Sequence, residues 1–188
     1  MSTLTVANQL TLLRMLLIPA FVILVIYGQA GWALLVFVAA GVTDGLDGLI
    51  ARMTNQRTTV GVWLDPMADK LLLVTTFVVL SLPDVGLANR IPAWLTILVI
   101  SRDVVIVMTV AVVSLAVGPR TFKPSMLGKI ATGTYIATCV VVMWFNYRGI
   151  ESVLVAVAVY ASLIVTLASG LHYIAHARRI INQPPPSS

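Results

Sequence analysis

Six long apolar stretches dominate this sequence and constrain it to a helical fold. Each is close to the roughly 20 residues that a helix needs to cross a lipid bilayer. They cover residues 10–27, 32–53, 60–82, 92–117, 126–146 and 152–176. The connections between them are short, so we expect neighbouring helices to run antiparallel. The sequence therefore predicts an all-α integral membrane bundle of six transmembrane helices, preceded by a short N-terminal interfacial segment.

The composition agrees with a membrane protein. Of the 188 residues, 59% are hydrophobic and 10% are charged, whereas soluble domains have about 25% charged residues. The net charge of +5 fits basic loops beside anionic lipid, and nucleic acid is not expected as a partner. Because Cys139 is the single cysteine, an internal disulfide and a cysteine-rich metal site are both excluded.

The distribution of lysine and arginine predicts the orientation of the bundle. With the N-terminus inside, the outer segments contain Arg90 and Arg148, and the inner segments contain Arg52, Arg57, Arg120, Lys123, Lys129, Arg178 and Arg179. Both termini, and any active site formed where the second and third stretches meet, are therefore expected on the cytoplasmic side of the inner, cytoplasmic membrane. We expect one domain over residues 1–181 and a disordered, proline-containing tail over residues 182–188.

Four aspartates, Asp44, Asp47, Asp65 and Asp69, interrupt the second and third apolar stretches. Their spacing puts each pair on one face of a helix, and a polar turn over residues 54–59 would bring the pairs together. Four carboxylates in a poorly hydrated place repel one another unless cations lie among them. Oxygen ligands suit Mg²⁺, Mn²⁺ or Ca²⁺. A proton or cation pathway in a transporter is the alternative explanation.

The stretch around these aspartates resembles the signature of the CDP-alcohol phosphatidyltransferases. That signature is Asp-x2-Asp-Gly-x2-Ala-Arg-x8-Gly-x3-Asp-x3-Asp. Every fixed position is present, as Asp44, Asp47, Gly48, Ala51, Arg52, Gly61, Asp65 and Asp69. The resemblance implies transfer of a phosphatidyl group from CDP-diacylglycerol to an alcohol, with release of CMP. A transporter would not require the glycines, the alanine and the arginine at these offsets.

The resemblance also implies a role for each signature residue. The four aspartates would bind two Mg²⁺ or Mn²⁺ ions, and Asp69 would also take the proton of the attacking hydroxyl. The cytidine diphosphate would contact Asp47, Gly48, Ala51, Arg52 and Gly61. Close helix packing is the alternative explanation for the two glycines, and a non-catalytic scaffold with a vestigial site is the alternative function.

Five basic residues are candidates for binding the acceptor: Arg14, Arg102, Arg120, Lys123 and Lys129. For Arg14 the alternative is that its side chain snorkels to the membrane interface. For Arg102, which is next to Asp103, the alternative is a buried ion pair without a catalytic role. For Arg120 and Lys123, the alternative explanation is the general preference for basic residues in cytoplasmic loops.

Basic residues around the site favour a phosphorylated acceptor, so glycerol 3-phosphate is the first candidate and the product would be phosphatidylglycerophosphate. The segment from Asn8 to Arg14 resembles the opening of bacterial phosphatidylglycerophosphate synthases. The sequences Ser101-Arg102-Asp103 and Lys123-Pro124-Ser125 resemble the cardiolipin synthases of the same superfamily instead. Phosphatidylglycerol is therefore the alternative acceptor. CDP-diacylglycerol, the acceptor, membrane lipids and a second copy in a homodimer are the expected partners.

Overall fold

The computed structural model describes the backbone of residues 6–54, 59–117 and 126–181, and the side chains of Gln9 and of residues 11–43, 68–109 and 126–175. Over this part of the chain it contains six α-helices, one short 3-10 helix and no strand. The α-helices are α1 (Val6–Ile26), α2 (Ala30–Thr54), α3 (Thr59–Ser81), α4 (Ala93–Val117), α5 (Met126–Arg148) and α6 (Val153–Ile181). The 3-10 helix, Pro83–Val85, lies between α3 and α4. The predicted all-α class is confirmed.

Helix ends differ from the sequence prediction at both ends of the chain. α1 begins at Val6, so residues 6–9 continue this helix and do not form a separate interfacial segment. α6 extends to Ile181, five residues beyond the predicted end. Residues 55–58 of the predicted polar turn and the predicted tail over residues 182–188 lie outside the described part of the chain.

Glycines in the left-handed conformation end α1 and α5. Gly28 has φ 71° and Gly149 has φ 64°, values that side chains with a Cβ atom rarely adopt. After α1, Gly28 N donates to Val25 O and Gln29 N donates to Leu24 O. The amides of residues 149 and 150 make the same two hydrogen bonds after α5. This is the Schellman arrangement, in which the amides beyond a helix satisfy its last carbonyls.

Two aromatic contacts lie in the core of the bundle. α1 packs against α2 and α3, α5 packs against α2, α3 and α6, and α4 packs against α3 and α6. The rings of Phe21 and Phe37 join α1 to α2 with centroids 6.1 Å apart. Phe77 and Tyr135 join α3 to α5 edge to face at 5.7 Å. These ring contacts therefore connect α1 to α2 and α3 to α5 in the interior of the bundle.

The outer surface of the bundle is apolar. Leu16, Ile97 and Ile164 are 70%, 64% and 66% exposed, and lipid would remove such side chains from water. Among the described residues, two helical segments are long and apolar enough to cross a membrane, Met126–Arg148 and Val153–Ala175. Shorter apolar helices cover Thr11–Ile26 and Ala30–Thr43. Six helices are therefore observed, whereas six membrane spans stay a prediction.

Reciprocal amide hydrogen bonds connect two loops at one end of the bundle. Asn89, which is buried, donates from Nδ2 to Ile150 O at 2.8 Å, and Ser152 N donates to its Oδ1 at 3.3 Å. Asn146 Oδ1 accepts from Asn89 N, and Asn146 Nδ2 donates to Asn89 O. The loop before α4 is thereby attached to the end of α5 and to the loop before α6.

Replacing Asn89 with alanine is expected to destabilise the bundle by about 1–3 kcal/mol, because the side-chain hydrogen bonds to Ile150 O and from Ser152 N are lost. The measurement is thermal unfolding in detergent. Gln29→Ala is the matched control, since Gln29 is an exposed amide at the same kind of helix junction. Equal melting temperatures for the two variants would mean that the Asn89 hydrogen bonds contribute nothing measurable.

Candidate functional site

Asp69 is the signature aspartate whose side chain the structure describes. Its Oδ1 accepts a hydrogen bond from Arg14 Nη1 at 2.9 Å, which connects α3 to α1. The Arg14 side chain is fully buried, whereas the Asp69 side chain is 46% exposed. Snorkelling to the interface would require an exposed guanidinium. Arg14 therefore faces the carboxylate side of the bundle, and the interfacial alternative is wrong.

A second charged group lies beside Asp69 and connects α3, α4 and α6. Lys70 Nζ lies 3.2 Å from Asp103 Oδ2, and Arg102 Nη1 donates to Asp103 Oδ1 at 2.5 Å. Arg102 Nη2 also donates to Ser169 on α6. The Arg102 and Asp103 side chains are only 12% and 19% exposed, but that of Lys70 is 53% exposed. The Asp103 carboxylate is therefore shared by two cations.

A cavity of about 460 Å³ borders both charged groups. Asp69 and Lys70 line it from α3, and Arg102 and Asp103 line it from α4. Most of the remaining wall is apolar, and consists of Phe37, Val38, Gly41, Val42, Leu72, Leu73, Ile106, Ile136 and Val140, together with Thr132 and Tyr135. The cavity thus offers charged groups and an extended apolar surface to the same ligand.

A seam of hydrogen bonds behind this cavity fixes α5 and α4 against α6. Tyr135, a cavity residue, shares a hydrogen bond of 2.7 Å with Thr166. One turn away, Thr138 and Ser162 share another at 2.8 Å. Ser162, Thr166 and Ser169 are all buried and recur every three or four residues, so they lie on one face of α6. This seam holds both the Tyr135 ring and Arg102.

The other predicted signature residues lie on the helices that lead to this region. Asp44, Asp47, Gly48, Ala51 and Arg52 belong to the last turns of α2, and Gly61 and Asp65 to the first turns of α3. Their side chains lie outside the described residues. Among the side chains that are described, no group of three or more acidic, histidine or cysteine residues could hold a metal ion.

The predicted acceptor residues lie in four different places. Arg102 lines the cavity, and Arg14 contacts Asp69 from behind the cavity wall. Lys129 lies on the first turn of α5 and is exposed, but it is not among the cavity residues. Arg120 and Lys123 lie outside the described part of the chain. The structure therefore brings Asp69 and Arg102 to one cavity, whereas Lys129 is not one of its lining residues.

Lys70 is a residue of this site that was not predicted from the sequence. It directly follows Asp69 in a stretch that is otherwise apolar. A charge within a predicted span is a functional candidate by default, and that signal alone could have identified it. Ser169 had no comparable signal, since serine is common in membrane helices.

Comparison with a family model decides the classification. The model described as CDP-alcohol phosphatidyltransferase matches residues 4–168, a range that contains the signature, the Arg14–Asp69 pair and the cavity residues of α4 and α5. The chain belongs to the CDP-alcohol phosphatidyltransferase family. The predicted family is thereby confirmed.

Relatives in this family carry two different names. A Mycobacterium tuberculosis protein provisionally named cardiolipin synthase is 40% identical over 107 residues, which are 56% of this chain and 49% of that protein. Another, provisionally named phosphatidylglycerophosphate synthase, is 32% identical over 184 residues, 93% of this chain and 82% of that protein. The human cardiolipin synthase (CMP-forming) is 33% identical over 196 residues, 94% of this chain and 63% of that protein.

The length of these matches limits what transfers to this chain. The first of these relatives is matched over only about half of its length, although the mycobacterial phosphatidylglycerophosphate synthase is matched over most of it. The matches establish the family. They do not establish the acceptor, because relatives with the two different names have similar sequence identity to this chain.

Proposed function

We propose that this chain transfers a phosphatidyl group from CDP-diacylglycerol to the hydroxyl of a phosphate-bearing alcohol and releases CMP. The observation that carries the proposal is the arrangement of Asp69 and Arg102 on one cavity, with the buried Arg14 holding Asp69. A carboxylate and a cation on the same wall suit an acceptor that has a hydroxyl to deprotonate and an anionic group to bind.

Asp69 is proposed to take the proton of the attacking hydroxyl. Its side chain is almost half exposed, while the Arg14 guanidinium that contacts it is buried. A guanidinium stays charged under all conditions in which proteins fold. In this proposal Arg14 therefore fixes the orientation of the Asp69 carboxylate, and it does not bind the acceptor as the sequence suggested.

The donor diphosphate is proposed to lie near the end of α2 and the start of α3. Asp44, Asp47, Asp65 and Asp69 form a set of hard oxygen donors that suits Mg²⁺ or Mn²⁺, and the half-exposed Asp69 carboxylate on the cavity is compatible with such a ligand. Divalent metals are general in the family, and bound ions would offset the negative charge of the diphosphate. Arg52 would contact a phosphate oxygen, and Gly48, Ala51 and Gly61 would leave room for the cytidine.

Glycerol 3-phosphate is the first candidate acceptor. The phosphatidylglycerophosphate synthase relative is matched over nearly the whole of this chain and most of its own length, and Arg102 supplies a cation at the cavity. Lys129, Arg120 and Lys123, which lie at or before the start of α5, are proposed to attract the acceptor phosphate to the entrance of this cavity.

Phosphatidylglycerol is the second candidate acceptor, and one observation favours it. Nine of the fifteen residues that line the cavity are aliphatic residues, phenylalanine or glycine. Such an apolar wall suits an acyl chain better than a small polar molecule. The human cardiolipin synthase is also similar over 94% of this chain. Because this cavity has both charged and apolar walls, it is compatible with either acceptor.

The bundle is proposed to span the inner membrane six times with both termini in the cytoplasm. The family is membrane-associated, two helices meet the length and hydropathy required for a span, and the remaining helices expose large apolar side chains such as Leu16 and Ile97. The excess of basic residues in the predicted inner segments supports this orientation.

The proposed function is tested by CMP release from CDP-diacylglycerol in detergent micelles, with Mg²⁺, with Mn²⁺ and with a chelator. Glycerol 3-phosphate, phosphatidylglycerol, inositol phosphate and serine are supplied in turn. Metal-dependent release with a phosphate-bearing acceptor supports the proposal. Release with serine alone contradicts the acceptor class, and no release with any acceptor favours a non-catalytic scaffold.

Replacing Arg102 with alanine is expected to raise the KM for the acceptor about ten- to a hundredfold and that for CDP-diacylglycerol far less. Hydrogen bonds to charged groups contribute about 1.5–3 kcal/mol each. The measurement is the initial rate as each substrate is varied. Lys129→Ala should act in the same direction but more weakly, because Lys129 is exposed and does not line the cavity. Equal losses for both substrates would mean that Arg102 supports the structure or the donor.

A further inference from the structure

We infer that Lys70 is an additional acceptor-binding residue, and that the acceptor's phosphate competes with the Asp103 carboxylate for Lys70 and Arg102. The inference rests on the proposed function and specifies its acceptor subsite. It concerns a phosphate ester that also carries a hydroxyl, whether the ester is glycerol 3-phosphate or the head group of phosphatidylglycerol.

Two cations on the cavity wall contact the single carboxylate of Asp103. Lys70 and Arg102 each contribute a positive charge, and both contact this one carboxylate at 3.2 Å and 2.5 Å. Asp69 has a separate cation in Arg14. Counted over the described side chains, the group formed by Lys70, Arg102 and Asp103 carries a surplus of one positive charge, which an anion in the cavity would neutralise.

Lys70 is the member of this group with the most room to move. Its side chain is 53% exposed, compared with 12% for Arg102. Both terminal nitrogens of Arg102 have partners, in Asp103 and Ser169. A lysine ammonium has three donors on a flexible stem, so Lys70 can turn toward a ligand while Arg102 stays in place.

The position of Lys70 relates the phosphate to the reacting hydroxyl. Lys70 follows Asp69 in the chain, and both residues line the same cavity. An anion that contacts Lys70 is thereby held near the carboxylate that is proposed to accept the hydroxyl proton. Short acceptors, in which hydroxyl and phosphate are a few bonds apart, fit this spacing.

A purely structural role for Lys70 predicts a different outcome. In that case the Lys70–Asp103 contact only joins α3 to α4, and removal of either charge breaks the same contact. Lys70→Met and Asp103→Asn would then change the KM for the acceptor in the same direction. Competition predicts opposite directions, because methionine removes a cation that binds the phosphate, whereas asparagine removes the anion that competes with it.

The test compares Lys70→Met, Lys70→Arg and Asp103→Asn with the unmodified protein, and uses Arg148→Met as the control. Arg148 is exposed at the last residue of α5, far along the helix from the cavity residue Thr132. The KM values for donor and acceptor are measured by CMP release. Binding of glycerol 3-phosphate and of phosphatidylglycerol in nanodiscs is measured separately by calorimetry, without donor.

Lys70→Met is expected to weaken acceptor binding and to raise its KM about tenfold, the effect of one charge-assisted hydrogen bond. Lys70→Arg should restore most of the loss. Asp103→Asn should lower the acceptor KM about threefold, and the donor KM should stay unchanged in all three variants. The ligand that loses affinity in Lys70→Met identifies the source of the phosphate.

Changes of the same sign in Lys70→Met and Asp103→Asn would overturn the inference, as would equal changes in donor and acceptor KM. Undetectable binding of both ligands to the unmodified protein would also overturn it. Absence of CMP release with normal, Lys70-dependent binding would refute the proposed reaction and leave the anion subsite supported. The two failures are therefore distinguishable.

Discussion

Replacing Asp44 with asparagine is expected to abolish phosphatidyl transfer and to leave the helical bundle folded. The proposed metal site depends on anionic oxygen ligands, and an amide oxygen is neutral and binds a hard cation more weakly. Asp65→Asn should behave in the same way. The measurement is CMP release over a range of Mg²⁺ and Mn²⁺ concentrations, together with thermal unfolding in the presence of a chelator.

The unfolding measurement separates loss of a ligand from loss of structure. Four nearby carboxylates repel one another, so the metal-free variant should be as stable as the unmodified protein or more stable. Added metal should stabilise the unmodified protein and have little effect on the variant. Asp84→Asn is the matched control, because Asp84 is an exposed aspartate in the 3-10 helix between α3 and α4. Near-normal turnover by Asp44→Asn at ordinary metal concentrations would overturn the metal assignment.

The helices of this protein could be predicted closely from its sequence, for a physical reason. Apolar stretches near 20 residues long have few alternatives to helix in an apolar environment, and polar or glycine-containing segments separate them. The structure has six helices over the described residues, and their starts and ends mostly fall within a few residues of the predicted ones. The end of α5 at Arg148 follows from Gly149, which adopts a left-handed conformation.

The pairing of charges could not be predicted in the same way. Asp69 and Arg14 are 55 residues apart, and Arg102 and Ser169 are 67 apart. Which side chains meet over such separations depends on how each helix is rotated against its neighbours. Short-range patterns do not determine that rotation. Only the adjacent Arg102 and Asp103 could be recognised as a potential pair from the sequence itself.

The roles of the basic residues were the hardest to predict, because they depend on which side chains each residue meets. The sequence gives Arg14, Arg102 and Lys129 the same interpretation, a cation available to the acceptor. The structure gives them different surroundings, since Arg14 is buried against Asp69, Arg102 lines the cavity, and Lys129 is exposed and does not line it. Lys70, which was not among the predicted acceptor residues, lines the cavity beside Asp69.

Removing the buried cation that contacts Asp69 is expected to reduce kcat about ten- to a hundredfold. In Arg14→Met the volume is roughly kept, but the guanidinium is lost and the Asp69 carboxylate is left without the hydrogen bond from Nη1. The remaining carboxylate is 46% exposed, so the expected loss is that of one charge-assisted hydrogen bond, about 1.5–3 kcal/mol. If this loss falls on the transition state, it lowers the rate about ten- to a hundredfold.

The two interpretations of Arg14 predict different kinetics. If Arg14 positions Asp69, kcat falls while both KM values change little, and Arg14→Lys recovers only part of the rate, because an ammonium lacks the planar fork of the guanidinium. If Arg14 binds the acceptor, as the sequence suggested, the acceptor KM rises and kcat at saturation is nearly normal. Arg90→Met is the control, since Arg90 is an exposed arginine that donates to the carbonyl of Pro83. Added guanidinium ion should partly restore kcat in Arg14→Ala and not in Arg14→Met, because only the smaller side chain leaves space for it. An unchanged kcat in Arg14→Met would show that Asp69 keeps its reactive orientation without this partner.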